Sequence, residues 1–377
     1  MKSKTIAIAI NASWNIYNFR SGLVRALVAA GYDVLAIAPE DAYSKRLPEL
    51  GCRFVPVSMS ARGTSPLEDA RLFLEYRRIL KEHRPAIFLG YTIKPNVYGS
   101  LTAHALGIPV INNIAGLGVS FLKRGLFQSF VRTLYRAALR RSRTVFFQNP
   151  DDCSLFVEAG LARREQSRLL PGSGVDLARF APVERKRAPG DPFVFLLVSR
   201  LLRSKGIAEY AAAARAVRAE RSDVRFRIAG ILEPGHRDAV SEDEVRRWEA
   251  EGTIEYLGAL EDVRPALAAA DAMVLPSFYP EGPPRSLLEA AAMGKPLITT
   301  DVPGCREVLD EGVNGFLCEP RNVDSLAAAM LRMRDMSEDR LEAMGAASRR
   351  KAEVEFDERI VVSRYLEAIG EALRPRS

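Results

Sequence analysis

An alternation that runs through this chain twice constrains its fold more than any other feature. Short apolar runs of strand type alternate with longer segments of helical period, first from Thr5 to Ala159 and again from Phe193 onward. In the first half, strands are expected at 5–10, 33–38, 53–57, 86–90, 110–114 and 143–148. Helices are expected between them at 20–31, 43–50, 66–82, 96–106 and 126–142, and then at 150–159. In the second half, strands fall at 194–199, 224–230, 254–257, 273–275, 297–300 and 315–318, with helices at 207–220, 242–251, 263–269, 285–292, 323–334 and 338–356. Parallel neighbours need long crossovers, and helical crossovers cover both sheet faces, so this rhythm predicts two α/β units with parallel sheets. Residues 183–192 are charged and carry proline, as a linker does. The expected domains are therefore 1–182 and 183–356. A final segment, 357–377, has Ile360, Val361, Tyr365, Leu366, Ile369 and Leu373 at helical spacing and is expected to pack back on the first domain.

At 377 residues the chain is long enough for two cores. No apolar run approaches the ~18 residues of a membrane span. The N-terminal apolar run is short and is followed by Asn11, Trp14 and Asn15, which favours a first strand over a signal peptide. The four cysteines lie far apart and there are only three histidines. A disulfide framework and a zinc site are both disfavoured, and a reducing cytoplasmic location is expected.

The chemistry concentrates in Ser277-Phe-Tyr-Pro-Glu-Gly-Pro-Pro-Arg-Ser-Leu-Leu-Glu289. Glu281 and Glu289 have seven residues between them, and Pro283 and Pro284 suit a turn and the start of a helix. The N–H groups of Arg285, Ser286, Leu287 and Leu288 would then head a helix N-terminus, a natural anion site. A phosphate cradle with a carboxylate on either side suits a diphosphate carrying sugars at both ends. The alternative is an ordinary strand–turn–helix unit whose glutamates are solvated or cap the helix. Upstream, the strand at 194–199 runs into a loop with Arg200 and Lys205, and Gly206 opens the next helix. That is where an open α/β sheet keeps its ligand crevice, and both cations can neutralise a diphosphate. Gly230, at the end of the next strand, joins the donor-binding candidates. No Gly-x-Gly-x-x-Gly follows the first strand, which disfavours a dinucleotide dehydrogenase.

Together, Gly172-Ser-Gly-Val-Asp-Leu-Ala-Arg-Phe180, Ser199 to Gly206, Glu281 to Glu289 and Gly294-Lys-Pro-Leu-Ile-Thr-Thr-Asp-Val-Pro-Gly304 resemble the retaining glycosyltransferases of family 4. Thr92-Ile-Lys-Pro-Asn-Val-Tyr-Gly-Ser100 and Ile111-Asn-Asn-Ile-Ala-Gly-Leu-Gly118 look like the branch that extends polyprenyl-diphosphate-linked sugars in bacteria. The resemblance implies a GT-B fold of two Rossmann-like domains and a nucleotide-sugar donor, best taken as a UDP-sugar, held by the second domain. Arg200 and Lys205 would bind the donor diphosphate, and Glu289 the ribose. Glu281 and the Gly282 N–H would meet the transferred sugar, and the amides at Ser286, Leu287 and Leu288 would assist the phosphates. No cofactor is expected. No good Asp-x-Asp pair is present, so these cations and the helix terminus would replace a metal. The family commonly carries a Gly-Gly pair after the first strand, and this chain has Arg20 and Gly22 near that place instead. An anion could still be held there.

The first half is strongly basic: 25 Lys and Arg against 13 Asp and Glu in residues 1–182, a net of +12, leaving −5 for the rest of a chain of net +7. No acid occurs from Arg84 to Pro150. Lys123, Arg124, Arg132, Arg136 and Arg140 are therefore expected to meet an anionic membrane surface on the inner face of the cell membrane, with Phe121, Leu122, Leu126 and Phe127 as dipping residues. A merely solvated basic helix is the alternative. Nucleic acid is disfavoured, because no basic motif interleaved with aromatics appears. Arg20, Lys94, Asn96, Asn112 and Asn113 are candidate acceptor contacts; backbone capping is the alternative for Asn112 and Asn113. The leading expectation is transfer of an N-acetylhexosamine or similar sugar to a lipid-diphosphate-linked acceptor. A nucleotide-sugar epimerase or hydrolase, and a polyanion-binding protein of the same fold, are the competing readings.

Overall fold

The computed structural model describes residues 4–59, 65–116, 126–183, 188, 190–279 and 281–374, the side chains of 126–128 excepted. The chain divides into two compact units, 1–173 with 358–377, and 174–357.

The first unit holds strands β1 (Thr5–Ala9), β2 (Asp33–Ala38), β3 (Arg53–Pro56), β4 (Ile87–Tyr91), β5 (Val110–Ile114), β6 (Thr144–Phe147) and β7 (Ser167–Leu169). They form one sheet in the order β3-β2-β1-β4-β5-β6-β7, with every pairing parallel. Its helices are α1 (Ser13–Phe19), α2 (Ser21–Ala29), α3 (Pro66–His83), α4 (Ser100–Ala105), α5 (Leu126–Leu139) and α6 (Pro150–Glu158). Strand residues alternate between faces, and both faces are dry. Ile6 and Ile8 pack with Leu23 and Leu27 of α2, while Ala7 and Ala9 pack with Leu72 and Ile79 of α3.

The second unit holds β8 (Phe193–Val198), β9 (Val224–Ala229), β10 (Glu255–Tyr256), β11 (Ala272–Leu275), β12 (Leu297–Thr300) and β13 (Gly315–Cys318), in the parallel order β10-β9-β8-β11-β12-β13. Helices α7 (Ile207–Glu220), α8 (Glu242–Ala250), α9 (Arg264–Ala268), α10 (Arg285–Ala292), α11 (Val323–Arg334) and α12 (Glu338–Glu355) surround it. All six residues of β8 are buried. Each buried Leu or Phe there contributes about 1.5–3 kcal/mol relative to exposure. The last helix, α13 (Glu358–Leu373), returns to the first unit, where Val361, Tyr365, Ala368 and Ile369 join its core.

Several expectations need correction. The units divide at 173/174 and not at 182/183. The segment after Ser173 is held by the second unit: Val175 N–H donates to Phe356 O (2.8 Å), Phe180 is buried in the second core, and Arg349 donates to Phe180 O (2.9 Å) and Ala292 O (2.7 Å). A helix not expected from the sequence, α1, lies between β1 and α2, and Ala12 gives it no side-chain cap. The 43–50 helix is a 3-10 segment, Ser44–Leu50, with Pro48 inside it lacking a donor. The 96–106 helix opens as a π-turn over Pro95–Gly99 before α4. Among the described residues no helix is long and apolar enough to cross a membrane.

Candidate functional site

In the second sheet the order reverses direction between β8 and β11, so the loops leaving their carboxyl ends flank a switch point. After β8 the chain makes a short loop and a 3-10 turn, Arg203–Lys205, closed by Gly206 at φ +75° before α7. A Cβ on Gly206 would come within 2.2 Å of Pro276 O, so a bare Cα is what lets the two switch-point loops touch. Phe278 N–H donates to Ser204 O (2.9 Å) and joins them further. Arg203 forks onto Glu244 of α8 (2.8 and 2.7 Å), and Ser204 N–H donates to Asp238 (3.1 Å). The turn is thus pinned from outside while Lys205 points inward.

Lys205 is buried, and its ammonium pairs with the Glu281 carboxylate from the loop after β11. The same ammonium lies 5.4 Å from the Tyr279 ring. Burial pushes the Tyr279 hydroxyl pKa up and Glu281 adds to the rise, while Arg200 opposes it. Lys205, Glu281, Tyr279 and Arg200 therefore share one locality. Arg200 stands at its edge, half exposed and paired with Glu233 (3.2 Å). The loop after β12 closes the third side: a Cβ on Gly304 (φ +91°) would fall 2.3 Å from Glu281 O and 2.8 Å from Gly282 O.

Helix α10 follows with Pro284 at its N-cap. Here the structure corrects one expectation. The N–H groups of Leu287 and Leu288 donate to Pro284 O (3.0 and 3.2 Å), and both side chains are core. They are not available to a ligand. The Ser286 N–H has no backbone acceptor among the described residues and heads this terminus. Glu289, deep in α10, pairs with Arg285 one turn earlier (3.0 Å), and Arg285 also donates to Gly174 O (2.8 Å). Burial raises the Glu289 pKa, Arg285 and Arg179 pull it down, and Asp262 pushes it up. Arg285 was missed as a site residue, although its i,i+4 spacing to Glu289 was visible. Gly230 has a packing role: a Cβ there would meet Ser199 O at 1.6 Å.

In the first unit, the three asparagines are interior. Asn96 donates to Asn113 O (2.8 Å), and Asn112 donates to Asn96 (2.9 Å) and Ser100 (2.8 Å) and accepts from Ser142 (2.6 Å). Asn113 donates to Tyr365 of α13 (2.9 Å) and accepts from Gln148 (3.0 Å). All three are fully buried and spend their amides on the protein, so they brace the sheet and do not face an acceptor. Lys94 pairs with Asp69 (2.9 Å). Arg20 is buried with its guanidinium carbon 4.8 Å from the Tyr91 ring centroid. On α5, Phe130 is exposed, Arg132 is partly so, and Arg136 caps α6 through Gly160 O and Ala159 O (both 3.0 Å); Arg140, just after α5, is exposed. Lys123 and Arg124, with Phe121 and Leu122, lie outside the described residues, as do the side chains of Leu126 and Phe127. Among the described residues no group of three or more His, Cys, Asp or Glu is placed to hold a metal ion.

Residues 19–172 match the glycosyl transferase 4-like domain model, and residues 192–335, which carry all the loops of the switch-point site, match that of glycosyl transferases group 1. The chain is 24% identical to the N,N'-diacetylbacillosaminyl-diphospho-undecaprenol alpha-1,3-N-acetylgalactosaminyltransferase of Campylobacter jejuni, over 98% of this chain and 99% of the relative. It is 25% identical to the UDP-Gal:alpha-D-GlcNAc-diphosphoundecaprenol alpha-1,3-galactosyltransferase of Escherichia coli, over 75% and 74%. Among solved structures, Anabaena HepE in complex with UDP superposes with a TM-score of 0.77 at 19% identity, covering 97% of this chain and 100% of that one, a likeness of fold. With two domain matches in the expected order and two parallel-sheet units of the matching fold, the chain belongs to the GT-B glycosyltransferases, a 4-like domain followed by a group 1 domain.

Proposed function

We propose that this glycosyltransferase moves a sugar, best taken as an N-acetylhexosamine, from a UDP-sugar to a polyprenyl-diphosphate-linked saccharide, with retention and without a metal. The observation that carries the reading is the apposition of Lys205 and Glu281 at the second switch point, backed by Glu289 in α10. Loss of a nucleoside diphosphate builds negative charge on the leaving phosphate. A buried ammonium, the Arg200 guanidinium and the Ser286 N–H act where that charge develops. Lys205 is paired with Glu281; a donor phosphate takes over the ammonium, and the carboxylate turns to the transferred sugar as a positioning group. Glu289 accepts from the ribose hydroxyls. The acceptor class is supported by the two relatives whose names specify diphospho-undecaprenol-linked substrates, and the uracil base by the UDP carried by the fold neighbour. A lipid acceptor places the work at a membrane surface, and Phe130 and the partly exposed Arg132 of α5, with the exposed Arg140 just after it, suit peripheral docking on the cytoplasmic leaflet.

The test is a panel of nucleotide sugars with and without a polyprenyl-diphosphate-linked monosaccharide, following nucleotide release and lipid product mass. Release that requires acceptor, a mass gain of one N-acetylhexosamine, the anomer preserved and activity retained in EDTA are expected. Lys205→Ala should weaken UDP binding by about ten-fold or more, as loss of a charge-assisted contact does. Turnover without acceptor would replace the reading with a hydrolase or epimerase.

A further inference from the structure

The first sheet has a switch point of its own. Its order reverses between β1 and β4, and Arg20 and Tyr91 meet there: Tyr91 is the last residue of β4, and Arg20 follows β1 through α1 and caps α2. Arg20 is only 7% exposed, yet among the described residues no carboxylate lies within ion-pairing distance of it. Among the described residues its guanidinium makes one hydrogen bond, to the adjacent Phe19 O (3.0 Å), and its Nε has no partner. The Tyr91 hydroxyl beneath it is buried beside the neutral Tyr365 hydroxyl and supplies no countercharge. Arginine stays protonated in proteins, so this is a buried permanent cation short of a counter-ion, which folded proteins avoid unless something else supplies the charge.

The surroundings narrow what that something is. The nearby Tyr365 side chain, which feels the Arg20 charge, is neutral. The acid of this region, Glu358, is turned to the first turn of α2: a Cβ on Gly22 would lie 2.6 Å from its Oε2. The α2 terminus is thus already answered from within the chain, and the guanidinium is not.

We propose that Arg20, with Tyr91 and the β1–α2 connection, forms an anion subsite at the first switch point that takes the diphosphate of the lipid-linked acceptor. This rests on the glycosyl-transfer reading above, in which the donor diphosphate is held in the second unit by Lys205 and Arg200. The acceptor is then gripped by its charged linkage and not by its sugar alone. The three asparagines, expected to make that contact, stabilise the sheet behind it.

The experiment is calorimetric titration of the full-length protein, with saturating UDP blocking the donor site. The ligands are a short-chain prenyl-diphosphate N-acetylhexosamine, the same prenyl sugar without phosphate, and inorganic pyrophosphate. Wild type should bind the diphosphate ligand and discriminate against the phosphate-free one. Arg20→Gln should weaken the diphosphate ligand by about ten-fold or more, Arg20→Lys should restore part of that, and UDP affinity should be unchanged. Pyrophosphate binding that is lost in Arg20→Gln shows the anion is recognised by itself; recognition only of the prenyl form shows that the lipid is needed too. Equal affinity of wild type and Arg20→Gln for the diphosphate ligand overturns the proposal, as does a loss confined to UDP. Should Arg20→Gln fail to fold, equal wild-type affinity for the diphosphate and phosphate-free ligands overturns it instead. Absence of UDP binding in wild type would count against the glycosyl-transfer reading, while the pyrophosphate comparison would still decide the subsite.

Discussion

Glu289 shows how one residue can carry opposing demands. In the proposed role its carboxylate accepts from ribose hydroxyls, and accepts more strongly when ionised, yet its burial in α10 favours the neutral acid. Arg285, one turn away, offsets that cost, with Arg179 helping and Asp262 opposing. Arg285→Gln removes the main counter-ion, so the Glu289 pKa should rise further. UDP affinity measured against pH should then fall away on acidification at a higher pH than in wild type, whereas Glu289→Gln should bind weakly and with a flat profile. An unchanged profile in Arg285→Gln would separate Arg285 from the ionisation of Glu289. The stability linkage runs the other way from that of an exposed salt-bridged acid. A folded-state pKa above the unfolded one makes the group's contribution full below the ordinary carboxylate range and lost as pH rises through the raised value. Residue identity at Glu281, Glu289, Arg200 and Lys205 was legible from the sequence because each lies within a short local pattern. The partners Glu233 and Tyr279 were not, since each depends on which loops meet.

At the scale of elements, the second switch-point site is three loops held together at one end of a sheet. Glycine permits two of the contacts: Gly206 against Pro276, and Gly304 against the Glu281–Gly282 backbone. Gly304→Ala adds a Cβ into that backbone at a positive φ, a strain of roughly 1–3 kcal/mol. The thermal midpoint should drop by several degrees. UDP affinity should fall with it, because the loop carrying Glu281 must move. A variant with unaltered midpoint and affinity would show the loop after β12 to be independent of the site. The strands were readable because each is a short apolar run, and α10 because prolines precede an apolar helical run. β7, three residues long, exists only because β6 offers an edge. Asn96, in the turn after β4, and Asn112 and Asn113, in β5, looked like ligand contacts for a related reason: sequence shows polarity near a strand's carboxyl end but not whether partners such as Ser142 and Tyr365 arrive to consume it.

For the whole molecule, the charge asymmetry asks what the basic half faces. Among the described residues Arg132 of α5 and Arg140 just after it are not committed to another element, whereas Arg136 caps α6. Replacing Arg132 and Arg140 by Gln removes two charges at roughly 1 kcal/mol each near an anionic leaflet, so vesicle partitioning should fall about thirty-fold. Sedimentation with anionic liposomes equal to wild type would remove α5 from the membrane-facing surface. Arg136→Gln should instead lower stability.

The sequence by itself determined the architecture and the donor motifs. Periodicity and turn chemistry are local properties, and two runs of strand–helix alternation admit few folds other than paired parallel sheets. Only the tertiary structure decided where the units divide, because Val175 and Phe180 join the second core through contacts with residues far along the chain. It also decided which polar groups are spent and which are left over. Burial and pairing depend on the whole set of neighbours: Asn112 is saturated by Ser100, Asn96 and Ser142, while Arg20, also buried, keeps an unused donor at the first switch point.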